Sequence, residues 1–275
     1  MRSPYGESVL YSTFSKKPTG PHRMSQALHA DLLGWRRKIG VVVPATNTIV
    51  EPEFHQMAPA GITNHTSRFP LSNMALNSDA DFLRLVEEIN ANLDGAIDGL
   101  VPAAPDHIII GISAESFWNG TDGAAAIKER LSQRAGVPVT LGSDAARLAI
   151  EAVKAQRIAV LTPYWPIADQ RVSQYFGQCG FDVRRLIGLK ATSPINIAEQ
   201  HATTLEQALQ RLDGDDVDAI VQVGTNLGMA KIAAVAEKSM GKPVIAINTA
   251  LYWHALRSMG IDDSISNFGR LLERH

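Results

Sequence analysis

Thr46 and Asn47 follow the β-branched run Ile39-Gly40-Val41-Val42-Val43-Pro44, and Thr225 and Asn226 follow Ile220-Val221-Gln222-Val223-Gly224. Hydroxyl and amide groups set just beyond a buried strand can donate to an anion without adding a competing charge. A helix that begins at such a turn adds unpaired backbone N–H groups, so the pattern suits a carboxylate. Ser113, after His107-Ile108-Ile109-Ile110-Gly111-Ile112, joins the set, as does Tyr164 in Thr162-Pro163-Tyr164-Trp165-Pro166. Asn47 and Asn226 are the leading carboxylate donors, and Tyr164 offers a hydroxyl to the same space. Glu51 reads as a partner of its helix dipole. Glu115 and Asp144 qualify as general bases only if burial raises their proton affinity.

Other chemistries lack their residues. The eight histidines show no ligand spacing, so no metal site is expected, and His107 reads as structural. Pro-Ala-Thr-Asn stands where a dinucleotide fingerprint would need glycines, and neither a phosphate-binding P-loop nor a Gly-x-Ser-x-Gly elbow occurs. The one cysteine, Cys179, rules out an internal disulfide, fits a reducing, cytoplasmic setting, and reads as a small apolar residue closing a helix. A net charge of −2 with 20% charged residues gives no basic field for nucleic acid. No apolar run approaches the roughly 18 residues of a membrane span.

The elements that must position these groups occur twice. Ile158-Ala159-Val160-Leu161-Thr162-Pro163-Tyr164 repeats the pattern of Ile39 to Ala45, and Asp218 to Thr225 repeats Asp106 to Ser113. On this reading Pro44 and Gly111 correspond to Pro163 and Gly224. Gly136-Val137-Pro138-Val139 before Ser143 matches Gly241-Lys242-Pro243-Val244 before Asn248. Three pairs in the same order argue for two copies of one α/β unit. Between them, the pattern predicts an edge strand over 62–68, a helix from Asp81 with Phe82, Leu85, Val86, Ile89, Leu93 and Ile97 on one stripe, and strands at 107–112 and 137–141. Ser143-Asp144 reads as the cap of the next helix. In the second copy, a helix from Pro166 to Cys179 precedes strands at 181–187, 218–223 and 244–247. Helices follow around Leu205-Leu209-Leu212, around Met229-Ile232-Ala236, and from Thr249 to Met259.

Alternating strands and helices predict an α/β fold: two pseudo-symmetric Rossmann-like domains with parallel sheets flanked by helices. The expected division is 37–155 and 156–259, with 260–275 packing back on the first. Ligands of open α/β sheets sit beyond the carboxyl ends of the strands, so Thr46, Asn47, Ser113, Ser143, Tyr164, Thr225, Asn226 and Asn248 converge on one interdomain cleft. Residues 1–36 read as an N-terminal arm or extension. Either Met24 is the natural start, or the arm packs through Trp35 on a second copy, which leaves a homo-oligomer open.

Ile39 to Glu51, with Pro-Ala-Thr-Asn-Thr and the glutamate, resembles the opening motif of bacterial maleate isomerases. His65-Thr66-Ser67-Arg68, Thr162-Pro163-Tyr164, Val217 to Asn226 and Gly241-Lys242-Pro243-Val244 extend the likeness, and Phe117-Trp118-Asn119-Gly120 is closer to arylmalonate decarboxylase. Both belong to the aspartate/glutamate racemase superfamily. The resemblance covers roughly residues 36–260 and implies a carboxylate bound between two α/β domains without a cofactor. In that superfamily racemases and isomerases use two facing cysteines, whereas the decarboxylase keeps the second. Carried onto this chain, the first thiol position falls on Ile112 and the second on Gly224 or Thr225. The expected function is therefore an isomerase or decarboxylase acting on a small mono- or dicarboxylate through an enolate-like intermediate, without cysteine catalysis. Tyr164 or Thr225 is its proton donor, and Thr46, Asn47, Ser113, Gly224 and Asn226 bind the substrate. The alternatives are a non-catalytic carboxylate-binding protein on the same scaffold and a hydrolase with a carboxylate base.

Overall fold

The computed structural model describes residues 31–275, so most of the N-terminal arm lies outside it. Two four-stranded parallel sheets have the same strand order, β2-β1-β3-β4 and β6-β5-β7-β8. The first holds β1 (Arg37–Pro44), β2 (Ile62–Phe69), β3 (His107–Ile110) and β4 (Val139–Thr140), separated and followed by α1 (Val50–Met57), α2 (Asp79–Leu100), α3 (Gly120–Ala135) and α4 (Gly142–Ala152). The second holds β5 (Arg157–Thr162), β6 (Asp182–Gly188), β7 (Ala219–Gln222) and β8 (Val244–Ala246). Its helices are α5 (Pro166–Gln178), α6 (Pro194–Ala198), α7 (Ala202–Leu212), α8 (Ala230–Met240) and α9 (Ile247–Ser258), before a terminal α10 (Arg270–Arg274). No helix among the described residues is long and apolar enough to cross a membrane.

Burial follows strand position. β3 and β7 are buried throughout, as central strands covered on both faces must be, whereas β2 and β6 are half-exposed edges. The repeat extends to single hydrogen bonds. The N–H of Asp106 donates to the carbonyl of Lys38, as that of Asp218 does to Arg157; Ile108 donates to Pro138, as Ile220 does to Pro243.

Several element starts differ from the sequence pattern for local reasons. α2 begins at Asp79, because Ser78 takes the N-cap and its Oγ accepts from the N–H of Asp81 at 3.3 Å. Asp81 instead sits one turn in, where its carboxylate accepts from the N–H of Asn77. Ser143 is not a cap: α4 starts at Gly142, and the N–H of Ser143 donates to Ser116 Oγ at 3.2 Å. α9 follows β8 without a loop, because Gln222 Oε1 accepts from the N–H of Ile247 across the strands at 3.3 Å. β4 is cut to two residues.

One apolar core runs through both sheets. It joins Val41, Val43, Ile109 and Leu93 to Ile158, Val160, Val221, Ala250 and Leu256 in a single cluster. α9 leaves the second sheet to pack on α4 and α1 of the first half, burying Tyr252 against Phe54 with ring centroids 5.0 Å apart. The tail adds Ile261, Phe268, Leu271 and Leu272 to the same cluster, and Arg36 pairs with Asp263 at 2.6 Å. A smaller cluster under α7 and α8 covers the outer face of the second sheet.

Because the core is continuous, chemical unfolding followed by tryptophan fluorescence and by far-ultraviolet circular dichroism is expected to give one coincident transition. Leu256→Ala, at a fully buried site on α9, should lower its free energy by about 2–5 kcal/mol without splitting it.

Candidate active site

The carboxyl ends of β1, β3, β5 and β7 meet where the halves face each other. A pocket of about 440 Å³, counting its open mouth, lies there. Pro44, Thr46 and Asn47 come from the β1 turn, Ile112, Ser113 and Ala114 from the β3 turn, Tyr164 from the β5 turn, and Gly224, Thr225 and Asn226 from the β7 turn. The structure thus brings together every substrate-binding and catalytic residue expected from the sequence. Of the other strand-end residues named there, Ser143 and Asn248 do not line the pocket.

Strand register fixes which residues are equivalent. Val42 is opposite Ile110 as Leu161 is opposite Gln222. The N–H of Gly111 then donates to Val42 as that of Val223 does to Leu161. Gly111 therefore corresponds to Val223, and the expected pairing of Gly111 with Gly224 is off by one residue. The true counterparts are Ile112 with Gly224 and Ser113 with Thr225. The two positions are built differently. Gly224 has φ +101°, and a Cβ there would lie 2.5 Å from the Pro163 ring, so only glycine fits without movement.

Amides and hydroxyls sew the turns together. Asn226 Oδ1 accepts from the N–H of Thr48 at 3.0 Å, while its Nδ2 donates to the carbonyls of Pro194 at 2.9 Å and Thr46 at 3.3 Å. Asn226 thus reaches the pocket with its donors spent, as a brace between halves and not a free carboxylate donor. Asn47 Oδ1 accepts from the N–H groups of Ile49 and Val50 at the entry to α1, both at 3.0 Å, and its Nδ2 faces Thr225 Oγ1 at 3.5 Å. The Thr225 hydroxyl donates to the carbonyl of Gly111 at 2.9 Å. Glu53, half-buried beside this seam, accepts from Asn248 Nδ2 at 2.7 Å and from the N–H of Ala230 at 3.0 Å. Glu51 lies outside the pocket and pairs with Arg68 at 2.7 Å.

Tyr164 and Ser113 share a hydrogen bond of 2.9 Å between their hydroxyls. The Tyr164 backbone N–H donates to Thr162 Oγ1 at 3.1 Å, and the Thr162 hydroxyl in turn donates to Asp169. Its ring stands edge-on to Phe82, 5.3 Å between centroids. Burial raises the phenol well above its ordinary range, so Tyr164 holds its proton. Glu115 is fully buried just beyond Ser113, whereas Asp144 is paired with Lys128 at 2.8 Å. Cys179 caps α5 outside the pocket lining, half-buried, with its thiol pushed up by burial.

The wall built by α2, α6 and Leu71 is apolar: Leu71, Phe82, Leu85, Ile89, Pro194 and Ile197. No Lys, Arg, His, Asp or Glu lines the pocket among the described residues. This wall was not singled out in the sequence, because Phe82, Leu85 and Ile89 lie on the α2 stripe and read as core. Their buried neighbours on the same stripe are core, and nothing in the spacing marks where core becomes cavity wall.

The family model for arylmalonate decarboxylase matches residues 39–272. The chain belongs to the arylmalonate decarboxylase family. Curated relatives include maleate isomerases of Nocardia farcinica (strain IFM 10152), 25% identical over 86% of this chain and 96% of the relative, and of Alcaligenes faecalis, 24% identical over the same shares. Among solved structures, a cysteine variant of the maleate isomerase Iso from Pseudomonas putida S16 with maleate superposes with a TM-score of 0.78 at 23% identity, over 86% of this chain and 97% of that one. A liganded double mutant of arylmalonate decarboxylase gives 0.74 at 20% identity, over 86% and 98%. This member of the family therefore shares its α/β fold with both enzymes, and an isomerase or lyase of the aspartate/glutamate racemase superfamily fits it.

Asn226→Ala is expected to cost about 3 kcal/mol in a denaturant titration, because it orphans buried backbone groups on both halves. Burial pushes the Asp169 carboxyl up to about 6, whereas in the unfolded chain it titrates near 3.8. Between those values the folded state binds the extra proton, so this contribution to stability is present at low pH and lost as pH rises through 6. Asp169→Asn should therefore gain in thermal stability relative to the wild type from pH 4 to pH 7.

Proposed function

We propose that this protein is a soluble, cytoplasmic, cofactor-independent enzyme that forms an enolate-like intermediate from a small carboxylate, without cysteine catalysis. The observation that carries the reading is the composition of the pocket: neutral donors from both halves, an apolar wall from α2 and α6, and Ile112 and Gly224 at equivalent strand ends. A thiol mechanism needs sulfur at such a place. A cis-trans maleate isomerase of Nocardia farcinica has been captured, as a cysteine-to-serine mutant, with a covalently bound succinylcysteine intermediate. This chain's one thiol lies outside its pocket lining.

The wall favours decarboxylation over maleate isomerisation. Isomerisation of maleate turns two carboxylates on the same side of a double bond into two on opposite sides, and one of the trans pair would have to face Leu71, Phe82, Leu85 and Ile89, with a large desolvation cost. A malonate-type acid with an apolar substituent suits both sides. Its carboxylates lie toward Thr46, Asn47, Ser113 and Thr225, and its substituent packs on the wall. As carbon dioxide leaves, the electron pair of the breaking C–C bond passes into an enediolate. Fixed donors aimed at developing charge stabilise it by about 3 kcal/mol each. Tyr164 then protonates the carbon. It is preferred to Thr225, whose hydroxyl already donates to Gly111.

The test is turnover of malonates with apolar substituents, in parallel with maleate and amino-dicarboxylates, in deuterated water. Decarboxylation with deuterium placed on the α-carbon is expected, and exhaustive chelation should leave it intact. Tyr164→Phe should lower kcat by about 10²-fold or more. Absence of turnover across the panel, with binding detected by calorimetry, would instead support a carboxylate-binding protein.

A further inference from the structure

Glu115 is fully buried, and among the described residues neither carboxyl oxygen has a hydrogen-bond partner. An orphan carboxyl in a core is costly unless it carries a proton or exchanges one. Its surroundings supply no countercharge. The 3-10 turn of Glu115–Phe117 packs on α2, α3, α4 and α5. From α5 comes Tyr175, edge-on to Phe117 at 5.1 Å, and Arg171, held over the Trp118 ring at 5.7 Å. From α3 and α4 come Lys128 and Asp144, which neutralise each other, and α2 presents the Phe82 ring to Trp118. The turn that carries Glu115 starts from Ser113, whose carbonyl accepts from the N–H of Ser116 at 3.2 Å and whose hydroxyl is joined to that of Tyr164 at 2.9 Å; the buried carboxylate in turn raises the proton affinity of that phenol.

We propose that Glu115 is the proton store of this pocket, returning to the Tyr164–Ser113 pair the proton that the pair gives to the substrate carbon. The inference rests on the enolate reading above and adds a residue that does not itself line the pocket. The Tyr164 O–H bond breaks as the substrate C–H bond forms. The phenolate oxygen then takes the proton of the Ser113 hydroxyl bonded to it, the Glu115 carboxyl gives its proton to Ser113, and water recharges the carboxylate between turnovers. The direction is downhill: burial pushes the Glu115 carboxyl up to about 7, far below the raised phenol. Glu115 acts through Tyr164 and is a positioning residue for its proton.

Glu115→Gln keeps the shape and removes the proton. It is expected to lower kcat at least about tenfold with little change in KM. The wild-type kcat should fall as pH rises through about 7, a limb that the Gln variant lacks and Glu115→Asp restores. Carbon NMR of glutamate-labelled wild type should show a carboxyl with a midpoint near 7, absent from Glu115→Gln. A midpoint in the ordinary carboxylate range, or an unchanged kcat and pH limb in the Gln variant, overturns the store while the enolate reading stands. A wild type that turns over no member of the panel overturns that reading, and the store with it.

Discussion

Asn226 joins three turns that belong to different parts of the chain. Its side chain accepts from Thr48 and donates to Thr46 and Pro194, so the carboxyl ends of β1 and β7 and the start of α6 are held at hydrogen-bond distance. A primary amide is well suited to this, because it satisfies a backbone donor and backbone acceptors at once and brings no charge to be neutralised. Asn47 and Thr225 repeat the arrangement on the other side of the seam. With these turns fixed, the remaining pocket groups have little freedom.

A site without charged side chains gets its selectivity from fixed dipoles. In low dielectric each N–H or O–H counts for more than in water, and an unmatched polar group costs correspondingly more. Tyr164 shows how much structure stands behind one such dipole. Phe82 sets the ring, Ser113 the hydroxyl, and Thr162, held by Asp169, the backbone. None of these contacts leaves a net charge in the pocket, and the carboxylate of a substrate would be the main charge it receives.

The parts of the chain that read clearly from sequence are those whose environment is set by the strand itself. β1, β3, β5 and β7 are buried on both faces, so their apolar runs are unbroken, and the duplicated pattern around Pro44 and Pro163 carries directly into two sheets of identical strand order. Helix starts were less legible. They depend on which neighbour satisfies the first N–H groups, and for Ser143 and Ile247 that neighbour, Ser116 or Gln222, is distant in sequence. The polar residues of the site were legible as a set but not in their duties. Whether Asn226 faces a ligand or a carbonyl depends on α6, and whether Glu115 meets solvent depends on four helices around it. The apolar wall was hidden because α2 presents one stripe to both core and cavity.

The crossing of α9 onto α4 has a consequence for traffic. Domains that clasp a ligand like the shells of a clam swing about a few hinge residues, with little else joining them across the seam. Here that seam is filled by close-packed aliphatic and aromatic groups, including Tyr252, Phe54 and Leu256. The shells are fused along their back edge. A small acid must then be exchanged without parting the two sheets, past a lining to which Leu71 and the short α6 contribute.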